Sequence, residues 1–322
     1  MNSLRRLSFL LTFTVLTACV APTPQLAAPS LSAVSLRVAL LPITDVVPFY
    51  VAAQEGYFAG AGLDAEAVPV SSAAERETVV QAGGADCELT DIHGVVLTNA
   101  GDAHPLRIIA SARQATAEQP TYFLLSSPGS GITSPAQLAG ANIGISENTV
   151  IDYWNDRILA AAGVDPAGVT RTSVPQIPVR LELLMSDQLD AAILPDPLAS
   201  LAQLQGAQVV VDDTLLPDVG VSVLACRADV IQSRRDAVAA FLAGWDQAVD
   251  VIDADPDAYR NVLIANTRVP EPLQDKYSLP SFAVRQIPSA VQVQDVVDWA
   301  TAKGLVDEAL AYEQVVDASF RE

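Results

Sequence analysis

Short polar and aromatic side chains recur at one kind of place in this 322-residue sequence, just after an apolar run and just before an amphipathic one. Thr44 and Asp45 with Phe49 and Tyr50 occupy the first such place, Ser71 and Ser72 the second, and Thr90 and Asp91 the third. Further along, Ser146, Glu147, Asn148 and Thr149 precede Tyr153 and Trp154, and Pro195 and Asp196 close the set. Hydroxyls, amides and carboxylates satisfy the polar edges of a bound ring, while Phe, Tyr and Trp stack on its faces. A second reading stays open for each residue. Ser, Thr, Asp and Asn cap helices whether or not anything binds, and the aromatics can simply be core. None of these loops carries Lys or Arg except Arg180, one turn into its helix. Anion sites usually place a cation or a bidentate Arg on the ligand, so a flat, mostly neutral solute is expected.

Asp45, Asp91, Glu147 and Asp196 are the carboxylates available for acid–base work. No GxSxG, HExxH or Walker-type loop accompanies them, and the expectation is a binding protein rather than an enzyme. An enzyme on the same scaffold is the alternative class. His93 and His104 are the only histidines, and no Cys/His cluster exists, so neither a metal site nor a cofactor is expected. Cys87 and Cys226 each fall inside a predicted strand. Two buried thiols are the first reading, with a disulfide as the alternative in an exporting compartment.

In an open α/β sheet, a ligand collects beyond the carboxyl ends of the strands, where helix N-termini present unpaired N–H groups. The hydrophobic pattern predicts such a framework. Strands are expected at 35–41, 64–70, 87–90 and 106–112, with helices at 48–59 and from Ser71-Ser72 to Gly83-Gly84. A second set holds strands at 141–145, 169–174, 190–194 and 207–211, with helices at 149–162, 179–185 and 198–204. Mainly helical chain follows, at 234–252, 256–266, 290–303 and 307–317. Strand–helix alternation implies parallel strands covered by helices. Two lobes are expected, 34–121 with 225–322 and 122–224, joined by crossing strands at 122–126 and 221–226.

The N-terminus carries an address. Arg5 and Arg6 precede an apolar run, Leu7 to Leu16, that ends in Leu16-Thr17-Ala18-Cys19. This reads as an export signal, too short to span a bilayer, which needs about 20 apolar residues. Leu-Thr-Ala-Cys resembles the lipobox of bacterial lipoproteins, in which the cysteine is acylated and becomes the new N-terminus. An ordinary secretory signal is the alternative. Residues 1–18 are then a signal peptide and 19–33, with Pro22, Pro24 and Pro29, a lipidated tether. Removing the signal leaves 16 basic against 38 acidic residues, a net charge of −22. Such a body repels nucleic acid and anionic headgroups, leaving the lipid on Cys19 as its only membrane contact.

Longer runs point to a family. Pro48-Phe49-Tyr50-Val51-Ala52-Ala53-Gln54-Glu55-Gly56-Tyr57-Phe58, followed by Ala61-Gly62-Leu63-Asp64, resembles the opening of solute-binding proteins of the nitrate/sulfonate/taurine group. That group also includes binders of thiamine pyrimidine precursors and of riboflavin. Ser134-Pro135-Ala136-Gln137-Leu138-Ala139-Gly140 with Ile143-Gly144-Ile145 resembles the family's start of lobe two. Leu183-Leu184 through Asp190-Ala191-Ala192-Ile193-Leu194-Pro195-Asp196-Pro197 resembles its later strand and cleft loop. The resemblance implies a two-lobed α/β periplasmic-binding-protein (type II) fold with two crossing hinge strands. It also implies a monomer on the extracytoplasmic face of the cell membrane that delivers a small molecule to an ABC permease and its ATPase. Pyrimidine-synthesising relatives carry a cysteine-rich signature and a catalytic histidine. Cys87 and Cys226 stand alone, so that activity is not carried over. Riboflavin is the expected solute, with Phe49, Tyr50, Tyr153 and Trp154 as stacking candidates. A thiamine pyrimidine precursor, a sulfonate or nitrate is the alternative.

Overall fold

Runs of aliphatic and β-branched residues bounded by glycines and polar turns form the strands, and the amphipathic stretches between them form the covering helices. The computed structural model describes residues 34–101, 104–267, 269–283 and 285–321. The expected signal peptide, the tether and Cys19 lie outside the described residues. The chain opens with β1 (Val34–Leu40), α1 (Val47–Gln54), α2 (Tyr57–Gly60), β2 (Leu63–Pro69), α3 (Ala73–Gln81), β3 (Cys87–Asp91), α4 (Ile92–Asn99) and β4 (Leu106–Arg113). It continues through β5 (Tyr122–Ser126), β6 (Asn142–Ile145), α5 (Val150–Ala161), β7 (Thr170–Ser173), α6 (Ile177–Met185), β8 (Ala191–Pro195), α7 (Leu198–Leu204) and β9 (Gln208–Asp212). After β10 (Ser222–Arg227) come α8 (Ala228–Ser233), α9 (Arg235–Ala254), α10 (Arg260–Thr267), α11 (Ala290–Ala302) and α12 (Tyr312–Val315).

Two five-stranded sheets result, ordered β2-β1-β3-β10-β4 and β7-β6-β8-β5-β9. They are mixed rather than parallel throughout. β10 runs antiparallel to β3 and β4, and β5 runs antiparallel to β8 and β9. Each of these strands is the one that has just arrived from the other sheet, so it enters from the end at which its new neighbours finish. The chain crosses once through 114–121 into β5 and returns through 213–221 into β10.

Buried charge ties the two crossings together. The Asp213 carboxylate accepts the Thr121 N–H at 2.8 Å, the Tyr122 N–H at 3.1 Å and the Thr121 hydroxyl. Arg113, ending β4, donates Nη1 to Asp45 Oδ1 at 2.9 Å and Nη2 to the Pro120 carbonyl at 3.0 Å. The Ser222 hydroxyl, opening β10, donates to the other Asp45 oxygen. Gly220 lies between, with φ +80; a Cβ there would stand 3.0 Å from the Tyr122 ring and 3.3 Å from that of Trp154. Only glycine fits this backbone and this gap.

Helix α9 packs against the helices of the first sheet. Phe241 of α9 lies 5.6 Å from the ring of Phe58 and 6.3 Å from that of Phe49. Helix α11 also reaches the second half of the chain. Val293, Val296 and Val297 share one apolar cluster with Val95 and Val96 of α4 and with Tyr153, Trp154 and Ile158 of α5.

Some expected elements change. The helix from Pro48 breaks at Gly56, which takes φ +74. Helix α4 was not anticipated, because Gly94 and two valines in eight residues give a weak helical signal. The helix expected over 307–317 is confined to Tyr312–Val315, since Val316 lies alongside Ile108 of β4 as a parallel bridge. The thiol reading of the cysteines also falls. Cys87 and Cys226 are direct partners across β3 and β10 and are joined in a disulfide. Strand pairing between segments 139 residues apart, which cysteine spacing does not reveal, decided it. Replacing both cysteines by alanine should destabilise the fold by about 2–5 kcal/mol, read as a lower guanidinium midpoint. Free thiol appearing on denaturation of the wild-type protein without reductant contradicts the bridge.

Candidate functional site

Loops at the carboxyl ends of both sheets face one another across a cleft. From the first sheet come Leu41 to Ile43 after β1, the start of α3, and Thr90-Asp91 leading into α4. From the second come Ser146 to Thr149 before α5, Pro175 to Ile177 before α6, and Pro195 to Leu198 before α7. Three chambers follow one another. The larger end chamber, about 560 Å³, lies between α3, α4 and the start of α5. A central chamber of about 50 Å³ shares Arg76, Asp91, Ser146 and Thr149 with it. Leu41, Ile43, Ile177 and Pro195 connect that chamber to an apolar one of about 300 Å³.

Local sequence explains the walls. Ser72 caps α3 by accepting the Glu75 N–H at 3.2 Å, which turns Arg76 and Glu77 of the next turn into the cleft. Asp91 caps α4 by accepting the Gly94 N–H at 2.7 Å. Thr149 caps α5 by accepting from Ile151 at 3.2 Å. Each cap leaves a helix N-terminus aimed at the chambers, adding partial positive charge there.

Three buried arginines behave differently. Arg113 is neutralised by Asp45. Arg76 donates to Glu77 Oε1 at 2.8 Å and Asp91 Oδ2 at 3.4 Å, and stands 3.7 Å from Glu88. Burial opposes its charge, but these three carboxyls together hold the guanidinium above its usual pKa. Burial in turn raises Glu77 and Asp91, and pushes Glu88 up to about 8. Arg180 has no carboxylate partner among the described residues. It donates Nε to the Ile193 carbonyl at 2.8 Å and Nη1 to that of Val174 at 2.7 Å, and its edge lines the central chamber. Burial draws it down to about 10, so it remains cationic at neutral pH. An unpaired guanidinium at the bottom of a cleft is suited to an anionic group.

The sequence matches the family described as NMT1/THI5 like over residues 43–259. The chain belongs to that family. No curated protein sequence matches it. Among solved structures, the fold resembles the ligand-binding component of an ABC-type import system from Staphylococcus aureus. The identity is 13%, the TM-score 0.75, and the match covers 89% of this chain and 98% of that one. The periplasmic aliphatic sulphonate-binding protein SsuA from Escherichia coli matches at 17% identity and TM-score 0.72, over 88% and 92% of the two chains. The nitrate-binding protein NrtA from Synechocystis matches at 14% and 0.73, over 89% and 87%. Two lobes of the periplasmic-binding-protein type II fold are thus the architecture of this NMT1/THI5-like chain.

Within the NMT1/THI5-like cleft, ten of the sixteen residues named from sequence line the chambers: Ser71, Ser72, Thr90, Asp91, Ser146, Glu147, Asn148, Thr149, Pro195 and Asp196. Six do not. Thr44 bonds the Tyr277 hydroxyl at 3.0 Å, and Asp45 serves the crossings. Phe49 is buried against Phe58 and Phe241, with Tyr50 edge-on to it at 5.4 Å. Tyr153 turns away to donate to Asp295 at 2.5 Å, and Trp154 is sealed beside Tyr122 and Gly220. The four stacking candidates are therefore packing residues, because their helices bury the ring-bearing face. The argument from absent cations is corrected as well: Arg76 joins Arg180 on the chamber walls. Arg76, Glu77, His93 and Tyr122 were missed. A polar residue one turn after a capping serine was the available signal for Arg76.

Glu88 makes stability depend on pH. Its folded-state pKa of about 8 exceeds its ordinary 4.5, so the folded protein holds the proton more tightly. That contribution is complete below pH 4.5 and is lost as pH rises towards 8. Glu88→Gln should flatten this part of the stability profile and raise the melting temperature at pH 8 relative to wild type. An unchanged difference between pH 5 and 8 in thermal melts counts against it.

Proposed function

We propose that this chain is the solute-binding component of an ABC importer. It captures a small molecule between its lobes on the extracytoplasmic face and hands it to a permease driven by an ATPase. Support comes from the family, from the fold shared with binding proteins of import systems, and from loops of both sheets converging on one cleft. The lipid on Cys19 holds the protein near its permease.

The solute carries an anionic group. Arg180 is the observation behind this reading: it is buried, has no counter-ion among the described residues, and lies against the central chamber. Removing one partner of a desolvated, charge-assisted contact typically costs tenfold or more, about 1.5–3 kcal/mol. The flavin expectation has lost its platform, since none of its four rings lines the chambers, where Tyr122 and His93 stand instead.

Two measurements test the proposal. Refolded, ligand-free protein should be stabilised in thermal-shift titrations by small sulfonates, carboxylates or nitrate, and Arg180→Gln should weaken that binding by about tenfold or more. Riboflavin fluorescence should be unquenched by the protein; tight quenching, with anions inert, reverses the assignment. For the anchor, Cys19→Ala should move the protein from the membrane fraction to the soluble one and abolish labelling by a palmitate analogue. Retention with labelling intact contradicts lipidation at this residue.

A further inference from the structure

Two helices from different sheets meet beside the crossings. Helix α5 follows β6 of the second sheet, and its start lines the chambers through Thr149 and Val150. Helix α11 packs on α4, which follows β3 of the first sheet. The contact between α5 and α11 therefore joins the two halves of the molecule, and none of its polar members lines a chamber.

Spacing along each helix builds this contact. Tyr153 and Arg157 stand four residues apart on α5, as do Asp152 and Asp156, while Asp295, Trp299 and Lys303 follow at intervals of four along α11 and its end. Residues so spaced are neighbours on a helix surface. Asp295 accepts the Tyr153 hydroxyl at 2.5 Å and the Arg157 guanidinium twice, Nε at 2.9 Å and Nη2 at 2.7 Å. One turn on, Asp156 accepts the Trp299 indole N–H at 2.9 Å and lies 2.9 Å from Lys303 Nζ. Asp152 is 3.7 Å from the same ammonium, and Arg171 of β7 pairs with both aspartates. Gln292 adds a bond to Asp218 of the return crossing at 3.1 Å.

Isolated surface ion pairs contribute little, but a bidentate arginine within a network is the exception. Asp152 and Asp156 are only 6% and 12% exposed, where salt screens them least. Trp299 is 5% exposed, covered by the Tyr153 ring at 5.6 Å and the Lys303 ammonium at 5.2 Å.

We infer that α11 is a clasp between the two halves. Asp295, Trp299 and Lys303 hold α5, and so position the loop Ser146 to Thr149 opposite α3 and α4, which sets the width of the larger chamber. Separation of α5 from α4 breaks these bonds, so solute entry and release through that side require the clasp to part. The clasp is independent of the charge of the solute.

Acrylamide quenching of tryptophan fluorescence in refolded, ligand-free protein tests it. Of the three tryptophans, Trp154 and Trp245 are fully buried elsewhere and Trp299 sits within the clasp. Asp295→Ala should open one of the three to the quencher and increase the radius of gyration in small-angle scattering, with circular dichroism confirming the fold. The exchange Arg157→Asp with Asp295→Arg restores the pair with its charges reversed, and should return both readings towards wild type. Where Asp295→Ala fails to fold, Lys303→Met, which keeps an unbranched stem over Trp299, should give the same opening. Quenching and radius of gyration unchanged in the folded variant, or not restored by the reversed pair, overturn the clasp. No solute is present in any arm, so the result is separate from that for the Arg180 anchor.

Discussion

Everything in the cleft depends on two buried carboxylates at the crossings. Asp213 draws three donors from Thr121 and Tyr122 onto one side chain, and Asp45 takes Arg113 from one crossing and Ser222 from the other. Neither carboxylate is free to turn towards water, and a buried charge stripped of partners is strongly destabilising. The two crossings are therefore held side by side with little tolerance. Since β5 and β10 begin directly at these bonds, the register of each sheet relative to the other is set here. The loops that line the chambers inherit their separation from it.

Packing around the crossings divides the residues into those that hold the lobes and those that line the cleft. The aromatic rings go almost wholly to the first task. Phe49, Phe58, Phe241 and Trp245 fill the space between α1, α2 and α9, Tyr153 fills that between α5 and α11, and Trp154 packs beside Tyr122 and Gly220. α11 adds polar bonds to this, with Arg157 to Asp295 at 2.7 Å and the Trp299 indole to Asp156 at 2.9 Å. Hydrophobic area buried away from the cleft supports polar groups exposed within it. Such segregation leaves the aromatic rings largely outside the chambers, whose walls combine aliphatic side chains with hydroxyls, carboxylates and guanidinium groups.

This division explains what could be read from the residues alone. The rule that ligands gather at the carboxyl ends of strands is a statement about local order along the chain, so loops such as Ser71-Ser72, Thr90-Asp91 and Ser146 to Thr149 were legible. Strand positions were legible for the same reason. The orientation of Phe49 was not, because its neighbour Phe241 is distant in sequence and helical periodicity does not say which apolar face meets which partner. Arg76 was hidden similarly: its significance comes from Glu88 and Asp91, on a strand that adjoins α3 only in three dimensions. The disulfide needed the antiparallel entry of β10 beside β3, a consequence of the crossing itself. Local order marked which loops line the cleft, and long-range pairing determined the charges on its walls.

That charge is set against the protein's own field. The chain carries a formal charge of −20, which opposes the approach of any anion. At physiological ionic strength this repulsion fades beyond about 8 Å, so it slows encounter without governing the bound state. Inside the cleft the balance reverses. The N-termini of α5 and α6 converge there, Arg180 is stripped of water, and the low local dielectric strengthens contact between charges. An anion is thus repelled at a distance and held on contact, whereas a cation is attracted at a distance and meets Arg180 at the centre. On the proposed reading, the acidic body slows encounter and the buried arginine holds what arrives, so the two features are compatible.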